Sequence, residues 1–242
     1  MSKSAPVPAD PALLAALTVG ERDLIARIRA EKLSYLSDTK LASLAQTCRS
    51  IQQAQVPGLF LEAGCALGGS AIFIASLKSP DRELRIYDVF AMIPPPTGND
   101  PPSVHDRYQA ITEGRSKGIG GDRYYGYVDN LYEVVQANLA RMGIDCAAQR
   151  VSLIKGLVQD TLHFDAMQPV AFAHLDVDWY ESVMTCLQRI FPRLAIGGSI
   201  ILDDYFFWDG CHKATDEYLA SVAGQVVLDG SAGSMKVTRI GV

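Results

Sequence analysis

Apolar positions along the chain follow two regimes. From about residue 11 to 55 they recur three and four apart. LLAAL, RDLIARIRAEKL and LASLAQTCRSIQQA each carry an apolar stripe with polar residues between, the spacing of amphipathic helices. Asp38 and Thr39 stand just ahead of the third piece, where N-cap residues belong. From Gly58 the pattern contracts into short runs: GLFLEAG, LRIYDVF, RVSLIKG, VAFAHLDV, GSIILDDY, QVVLDG and MKVTRIGV. Most are separated by helix-compatible stretches such as SAIFIASLK, so the seven runs predict a mainly parallel sheet with helices on both faces. DGSAGS alone separates the last two, which predicts a hairpin adding one antiparallel strand at the sheet edge. Residues 91 to 126 match neither regime. Rich in Pro and Gly and interleaved with Tyr, His and Arg, they read as a long loop after the second strand, placed to cover a site at the strand ends. The simplest division is a helical extension over 1–57 and an α/β domain over 58–242, with the lid at about 91–126.

Chemistry collects where these runs stop. FLEAGCALGGS reads strand, acid, glycine turn, helix: Gly64 permits a sharp turn, and Gly68, Gly69 and Ser70 open a helix whose free N–H groups face a ligand. Asp88 ends the next run, where doubly wound folds place an acid that accepts hydrogen bonds from ribose hydroxyls. The spacing is not GxGxxG, and no GxxxxGK[ST] loop is present, which argues against a nicotinamide enzyme and a P-loop. LDVDWYES and SIILDDYF then place Asp176, Asp178, Asp203 and Asp204 at the ends of two adjacent strands. Carboxylates so grouped repel unless protons or a cation compensate them. Oxygen ligands without neighbouring Cys or His suit a hard ion such as Mg²⁺.

Composition narrows the partners. The chain has 242 residues, 48% hydrophobic and 20% charged, enough for one large domain with a proper core. A net charge of −5, with no run of Lys and Arg, argues against nucleic acid. No apolar stretch approaches the ~20 residues that span a bilayer, and the N-terminus has no signal-like apolar core. The cysteines at 48, 65, 146, 186 and 211 are widely spaced and lack CxxC, which fits a reducing compartment and a cytoplasmic location. His174 lies within an apolar run and reads as a core or supporting residue, whereas His105 and His212 remain candidates for acceptor contacts or an alternative base.

HLDVDWYESVMTCLQRIFPRLAIGGSIILDDY, continuing into GCHKATDEYL, resembles the macrocin O-methyltransferase (TylF-type) family of metal-dependent enzymes that methylate sugar hydroxyls on macrolides and related natural products. The family's Asp-x-Asp with a following Tyr, P-[RK]-L-x-x-G-G and [IL]-Asp-Asp-Tyr are met by Asp176, Asp178 and Tyr180, by Pro192, Arg193, Leu194, Gly197 and Gly198, and by Asp203, Asp204 and Tyr205. E-x-G-x-x-x-G-G is similar to the glycine motif of class I S-adenosylmethionine-dependent methyltransferases. The resemblance implies a Rossmann-like class I methyltransferase fold, S-adenosylmethionine as methyl donor, and Mg²⁺ or Mn²⁺. It implies transfer to a hydroxyl of a sugar or glycoside in natural product or polysaccharide biosynthesis. A catechol-like acceptor or a non-catalytic cofactor-binding module stays open, as does a homo-oligomer. Carried over by position, Asp176, Asp203 and Asp204 would hold the metal and Asp178 would be the general base. Thr39, Glu62, Gly64, Ser70, Asp88, Gly156, Asp160 and Asp176 would lie against the cofactor. His105, Tyr180, Tyr205 and His212 would meet the acceptor. Two departures stand out: His212 replaces an Arg common in the family, and DVFAMIPPP replaces the usual D-S-F-x-G after the second strand.

Overall fold

The computed structural model describes residues 10–165 and 167–241; residues 1–9, the start of the segment read as lacking a signal-like core, lie outside them. Three helices open the chain: α1 (Pro11–Ala15), α2 (Val19–Ala30) and α3 (Asp38–Gln53). A capping box starts α2, with Glu21 N–H donating to Thr18 Oγ1 at 3.2 Å and Thr18 N–H to Glu21 Oε2 at 2.7 Å. The cap of α3 is Ser37, whose hydroxyl accepts from Lys40 N–H at 3.2 Å. Asp38 and Thr39 are thus the first helical residues and not the cap, because the extended backbone needed there falls one residue earlier.

All seven apolar runs are strands: β1 (Leu59–Ala63), β2 (Leu84–Asp88), β3 (Val151–Lys155), β4 (Val170–Leu175), β5 (Leu194–Leu202), β6 (Val226–Asp229) and β7 (Met235–Arg239). They form one sheet in the order β3-β2-β1-β4-β5-β7-β6, parallel from β3 to β5. β7 runs antiparallel to both β5 and β6. The antiparallel strand therefore lies one place inside the edge, where the hairpin reading had put it outermost. Burial explains the order. Met235 and Val237 of β7 are buried, whereas Val227 and Leu228 of β6 are about half exposed and suit the rim.

The helices α4 (Gly69–Leu77) and α6 (Leu131–Arg141) join α3 on one face, in a core with Phe60, Ile86 and Phe172. On the other face α7 (Val158–Thr161), α8 (Tyr180–Ile190) and α9 (Asp209–Ser221) pack on Leu61, Tyr87, Leu175 and Leu202. This is the Rossmann-like α/β fold with seven strands. Strands β1 to β5 all point their carboxyl ends the same way, which places Asp88, Asp176 and Asp203 along one rim.

The segment 91 to 126 has structure of its own, contrary to its reading as a loop without elements. Pro102–Thr112 forms helix α5, with Pro at its first position, and two single-turn helices follow at Ile119–Gly121 and Tyr125–Tyr127. Val104 and Ile111 share one face of α5 and join Ile93, Tyr124 and Trp179 in a small separate core. One such stripe of two residues between Pro- and Gly-rich flanks is too short to read as a helix from periodicity. Two bonds fasten the segment to the strand ends: Trp179 Nε1 donates to Pro94 O at 2.9 Å, and Tyr180 N–H to Asp100 Oδ1 at 2.8 Å. Among the described residues no helix is long and apolar enough to cross a membrane.

Candidate active site

A cavity of about 240 Å³ lies between the carboxyl ends of β1 to β5 and the segment 91 to 126. One end is floored by Gly64, Asp88 and Gly156, the other by Asp176, Asp178, Asp203 and Asp204. Arg107, Tyr124 and Tyr125 roof it, and Tyr35 from the α2–α3 connection completes the wall.

The glycine turn owes its shape first to the sheet. Asp176 N–H donates to Ala63 O at 2.8 Å, drawing the end of β4 against the turn. A Cβ on Gly64, which has φ +82°, would sit 1.8 Å from Asp176 O, so no other residue fits there. Asp88 clamps the same turn. Its Oδ2 accepts from Cys65 N–H (2.8 Å) and Ala66 N–H (3.3 Å), and its Oδ1 from Phe90 N–H (2.7 Å). Burial pushes the Asp88 carboxyl above its ordinary value, against the pull of these N–H groups. Asp88 thus lines the cavity and also shapes its floor. Four other residues expected at the cofactor do not line it. Thr39 and Ser70 are buried in α3 and α4. Asp160 is exposed on α7, whose Val158 and Gln159 line the cavity instead. Glu62 is fully buried in the sheet, its Oε1 2.9 Å from His174 Nδ1. Burial opposes a charge on His174, but the bond to Glu62 and the negative field of Glu62 and Asp203 outweigh it and raise its pKa.

At the other end Asp176, Asp178 and Asp204 each offer a carboxylate oxygen within 4.8 Å of one another. Asp178 adopts φ +54°, a conformation Asp tolerates better than most residues, and its N–H donates to Asp204 Oδ2 at 3.2 Å. Burial, followed by repulsion among the carboxylates, raises Asp176 and Asp204 well above the ordinary range. Asp178 is pushed up to about 8 by burial and by Asp176 and Asp203, with Arg107 opposing. These are groups short of a cation.

Asp203 differs from the other three. Lys40 of α3 donates to its Oδ2 at 2.8 Å and to its main-chain oxygen at 2.9 Å. Its Oδ1 is buried with no partner. The expected metal set of Asp176, Asp203 and Asp204 is therefore not the cluster seen without a metal, in which Asp178 stands in for Asp203. The reason is Lys40, which the sequence reading did not single out. Nothing in TKLASLA marks it as the partner of a residue 163 positions away.

The family model for macrocin O-methyltransferase (TylF) matches residues 30–223. The chain belongs to that family. Among curated relatives, the demethyldecarbamoylnovobiocin O-methyltransferase of Streptomyces niveus is 27% identical over 185 residues, covering 75% of this chain and 65% of that protein. The 8-demethyl-8-(2,3-dimethoxy-alpha-L-rhamnosyl)-tetracenomycin-C 4'-O-methyltransferase of Streptomyces olivaceus is 30% identical over 194 residues, covering 78% and 64%. The chain thus spans just under two thirds of the length of these two relatives. In fold it is similar to the O-methyltransferase NovP, with a TM-score of 0.70 at 22% identity over 86% of this chain and 82% of that one.

The residues expected to meet an acceptor in a family member lie outside the cavity lining. Tyr180 and Tyr205 donate their hydroxyls to Glu217 (2.5 Å) and Asp216 (2.8 Å) of α9. His212 stacks on Tyr205 with ring centres 4.3 Å apart and pairs with Asp216 at 3.1 Å. His105 Nε2 bonds Thr97 O at 3.0 Å. Arg107, Tyr124 and Tyr125 take the places near the carboxylates. In sequence they were visible only as polar and aromatic residues scattered through a Pro- and Gly-rich stretch.

Proposed function

We propose that this chain is an O-methyltransferase that moves a methyl group from S-adenosylmethionine to a hydroxyl of a sugar or glycoside, with Mg²⁺ or Mn²⁺ at the carboxylate end. The observation that carries the reading is a single cavity joining the glycine turn and Asp88 to the carboxylate cluster. Methyl transfer from a sulfonium is an in-line displacement, and holding both reactants aligned in one enclosure is worth roughly 7–11 kcal/mol of barrier. Asp88 and the β1–α4 turn form the donor end, and the cluster forms the acceptor end. One relative's name specifies a rhamnosyl group, which supports a sugar hydroxyl as acceptor.

The carboxylates fit a hard divalent ion. Their donors are all oxygen, three of them have raised affinity for protons in place of a cation, and the buried Asp203 Oδ1 lacks a partner. Asp176 and Asp204 would hold the ion together with Asp203 Oδ1. Bound there, it supplies positive charge that lowers the pKa of a neighbouring hydroxyl. With the ion in place Asp178 would be ionised, and its carboxylate would accept the hydroxyl proton. Trp179 and Trp208, packed edge to face with centres 5.5 Å apart, line the cavity beside it and exclude water. The segment 91 to 126 acts as the lid.

The test is mass-spectrometric detection of methylated product with S-adenosylmethionine and Mg²⁺ across deoxysugar glycosides, methyl glycosides and catechols. A methylated glycoside is the expected result. Methylation of catechols alone would replace the sugar reading, and an absence of S-adenosylhomocysteine binding in calorimetry would remove the methyltransferase reading altogether.

A further inference from the structure

The acidic floor of the cavity faces cations on its roof, and methyl transfer as such does not need them. Arg107 on α5 and Lys117 beyond it both line the cavity. Among the described residues neither forms an ion pair, although the lid's Arg115 pairs with Glu113 and its Asp122 with Lys32 from the α2–α3 connection. Arg107 is held on a fixed mount. Its Nη1 donates to Ser116 Oγ at 2.9 Å. Ser116 is buried and its N–H donates to the Tyr127 hydroxyl at 3.2 Å, which in turn donates to Ile111 O at 2.6 Å. In this arrangement the guanidinium is tied to Ser116 and forms no ion pair with Asp178. Its field still reaches Asp178, Tyr124 and Tyr35, so it faces the room between the lid and the strand ends. A half-buried guanidinium that lines the cavity and has no carboxylate paired to it is available to an anion that enters.

We propose that the acceptor carries an oxyanion, a phosphate or carboxylate group, which Arg107 and Lys117 bind while the hydroxyl to be methylated stands at Asp178. This rests on the reading of the cavity as a methyl-transfer site. Arginine suits the task because its planar fork meets phosphate or carboxylate with two parallel bonds, and Lys117 adds a point charge. A neutral glycoside leaves both cations unmatched. The group also solves a problem of field. An anionic acceptor entering a site with four carboxylates needs cations on the facing wall to hold it in register.

The test is calorimetry on the full chain saturated with Mg²⁺ and S-adenosylhomocysteine, titrated in turn with uridine diphosphate, methyl glucuronide and methyl glucoside. At least one charged probe should bind at least about tenfold more tightly than methyl glucoside, the worth of one charge-assisted hydrogen bond. Uridine diphosphate and methyl glucuronide distinguish phosphate from carboxylate as the source. Arg107→Met should remove that preference and leave S-adenosylhomocysteine affinity unchanged, while Arg107→Lys should keep part of it. Lys117→Met, at an exposed position, gives the same reading should Arg107→Met fail to fold. Equal affinity for all three probes overturns the inference, and so does a preference that survives both Met substitutions. A loss of S-adenosylhomocysteine affinity in the variants also overturns it, because the cations would then hold the donor's own carboxylate. Oxyanion binding without any methyl transfer would defeat the proposed activity and leave this inference standing; methylation of neutral glycosides without charge preference would do the reverse.

Discussion

Replacing Lys40 by methionine keeps most of the side-chain stem and deletes the ammonium bonded to Asp203 Oδ2 (2.8 Å) and to Asp203 O (2.9 Å). Both side chains are about nine-tenths buried, at 9% and 11% exposure, so water cannot take over. Breaking a buried pair by removing one partner typically costs about 3–5 kcal/mol, because the remaining charge is left uncompensated. The upper half of that range applies here, since Asp203 Oδ1 already lacks a partner and the main-chain oxygen loses its donor as well. For a chain of this size each kcal/mol lowers Tm by roughly 2–4 °C, giving a fall of roughly 8–20 °C. Urea unfolding of the metal-free protein, followed by tryptophan fluorescence, measures the loss. The double variant Lys40→Met/Asp203→Asn should recover much of it, because no buried charge is then unpaired. A loss below about 1 kcal/mol, the worth of an exposed pair, would refute the account of Lys40 as a buried strut between α3 and the end of β5.

Three further outcomes follow from the same geometry. Chelation with EDTA should abolish methyl transfer and Mg²⁺ restore it. Asp204→Asn should raise the Mg²⁺ concentration needed, whereas Asp178→Asn should lower turnover by roughly 10²–10⁴-fold at saturating metal, and activity surviving exhaustive chelation would sink both. In the metal-free protein Asp178 holds its proton to about pH 8, against an ordinary value of 3.8 in the unfolded chain. The folded state then binds more protons across that window, so its stability should fall as pH rises from about 4 to 8; Asp178→Asn or added Mg²⁺ should flatten the slope of Tm against pH, and a flat parent profile would contradict this. Gly64→Ala should destabilise the fold and not merely weaken donor binding, because its Cβ would collide with the backbone of Asp176; wild-type Tm with reduced S-adenosylhomocysteine affinity would show instead that the glycine serves only the ligand.

The strands and their acids were legible because each follows from local pattern. An apolar run ending in an acid or glycine reads the same whatever lies beside it, and the seven runs became the seven strands. What could not be read depends on partners distant in the chain. The inner place of β7 is decided by how much of each hairpin strand can be buried against β5. Lys40 and Asp203 are ordinary residues until the fold brings them together, so the separation of Asp203 from the other three carboxylates had no signature in sequence. Tyr180, Tyr205 and His212 share a motif region with the carboxylates, but α8, the turn after β5 and α9 carry them away from the cavity lining and onto Asp216 and Glu217. Proximity in sequence to an active residue does not fix direction. Arg107 shows the converse, since its place on α5 had to be built before its reach into the cavity could be seen.

The bond from Lys40 to Asp203 spans 163 positions of the chain. At a synthesis rate of about 5–20 residues per second, roughly 10–30 s separate the emergence of its two ends from the ribosome. Throughout that interval the nascent chain can pair β1 with β2 and lay α3 and α4 against them, but the other side of β1 stays open until β4 arrives. A half-sheet with a free, apolar central strand is the species most prone to pair with another chain. β4 closes that edge, and the bond from Lys40 to Asp203, made once β5 has followed, ties the late strands to the early half of the sheet while β6 and β7 are still to come. Substitutions at Lys40 or Asp203 should therefore lower the yield of soluble protein in cells more than their effect on the finished fold accounts for, and slowing synthesis or supplying a chaperone that shields strand edges should change that yield without changing the Tm of the protein recovered.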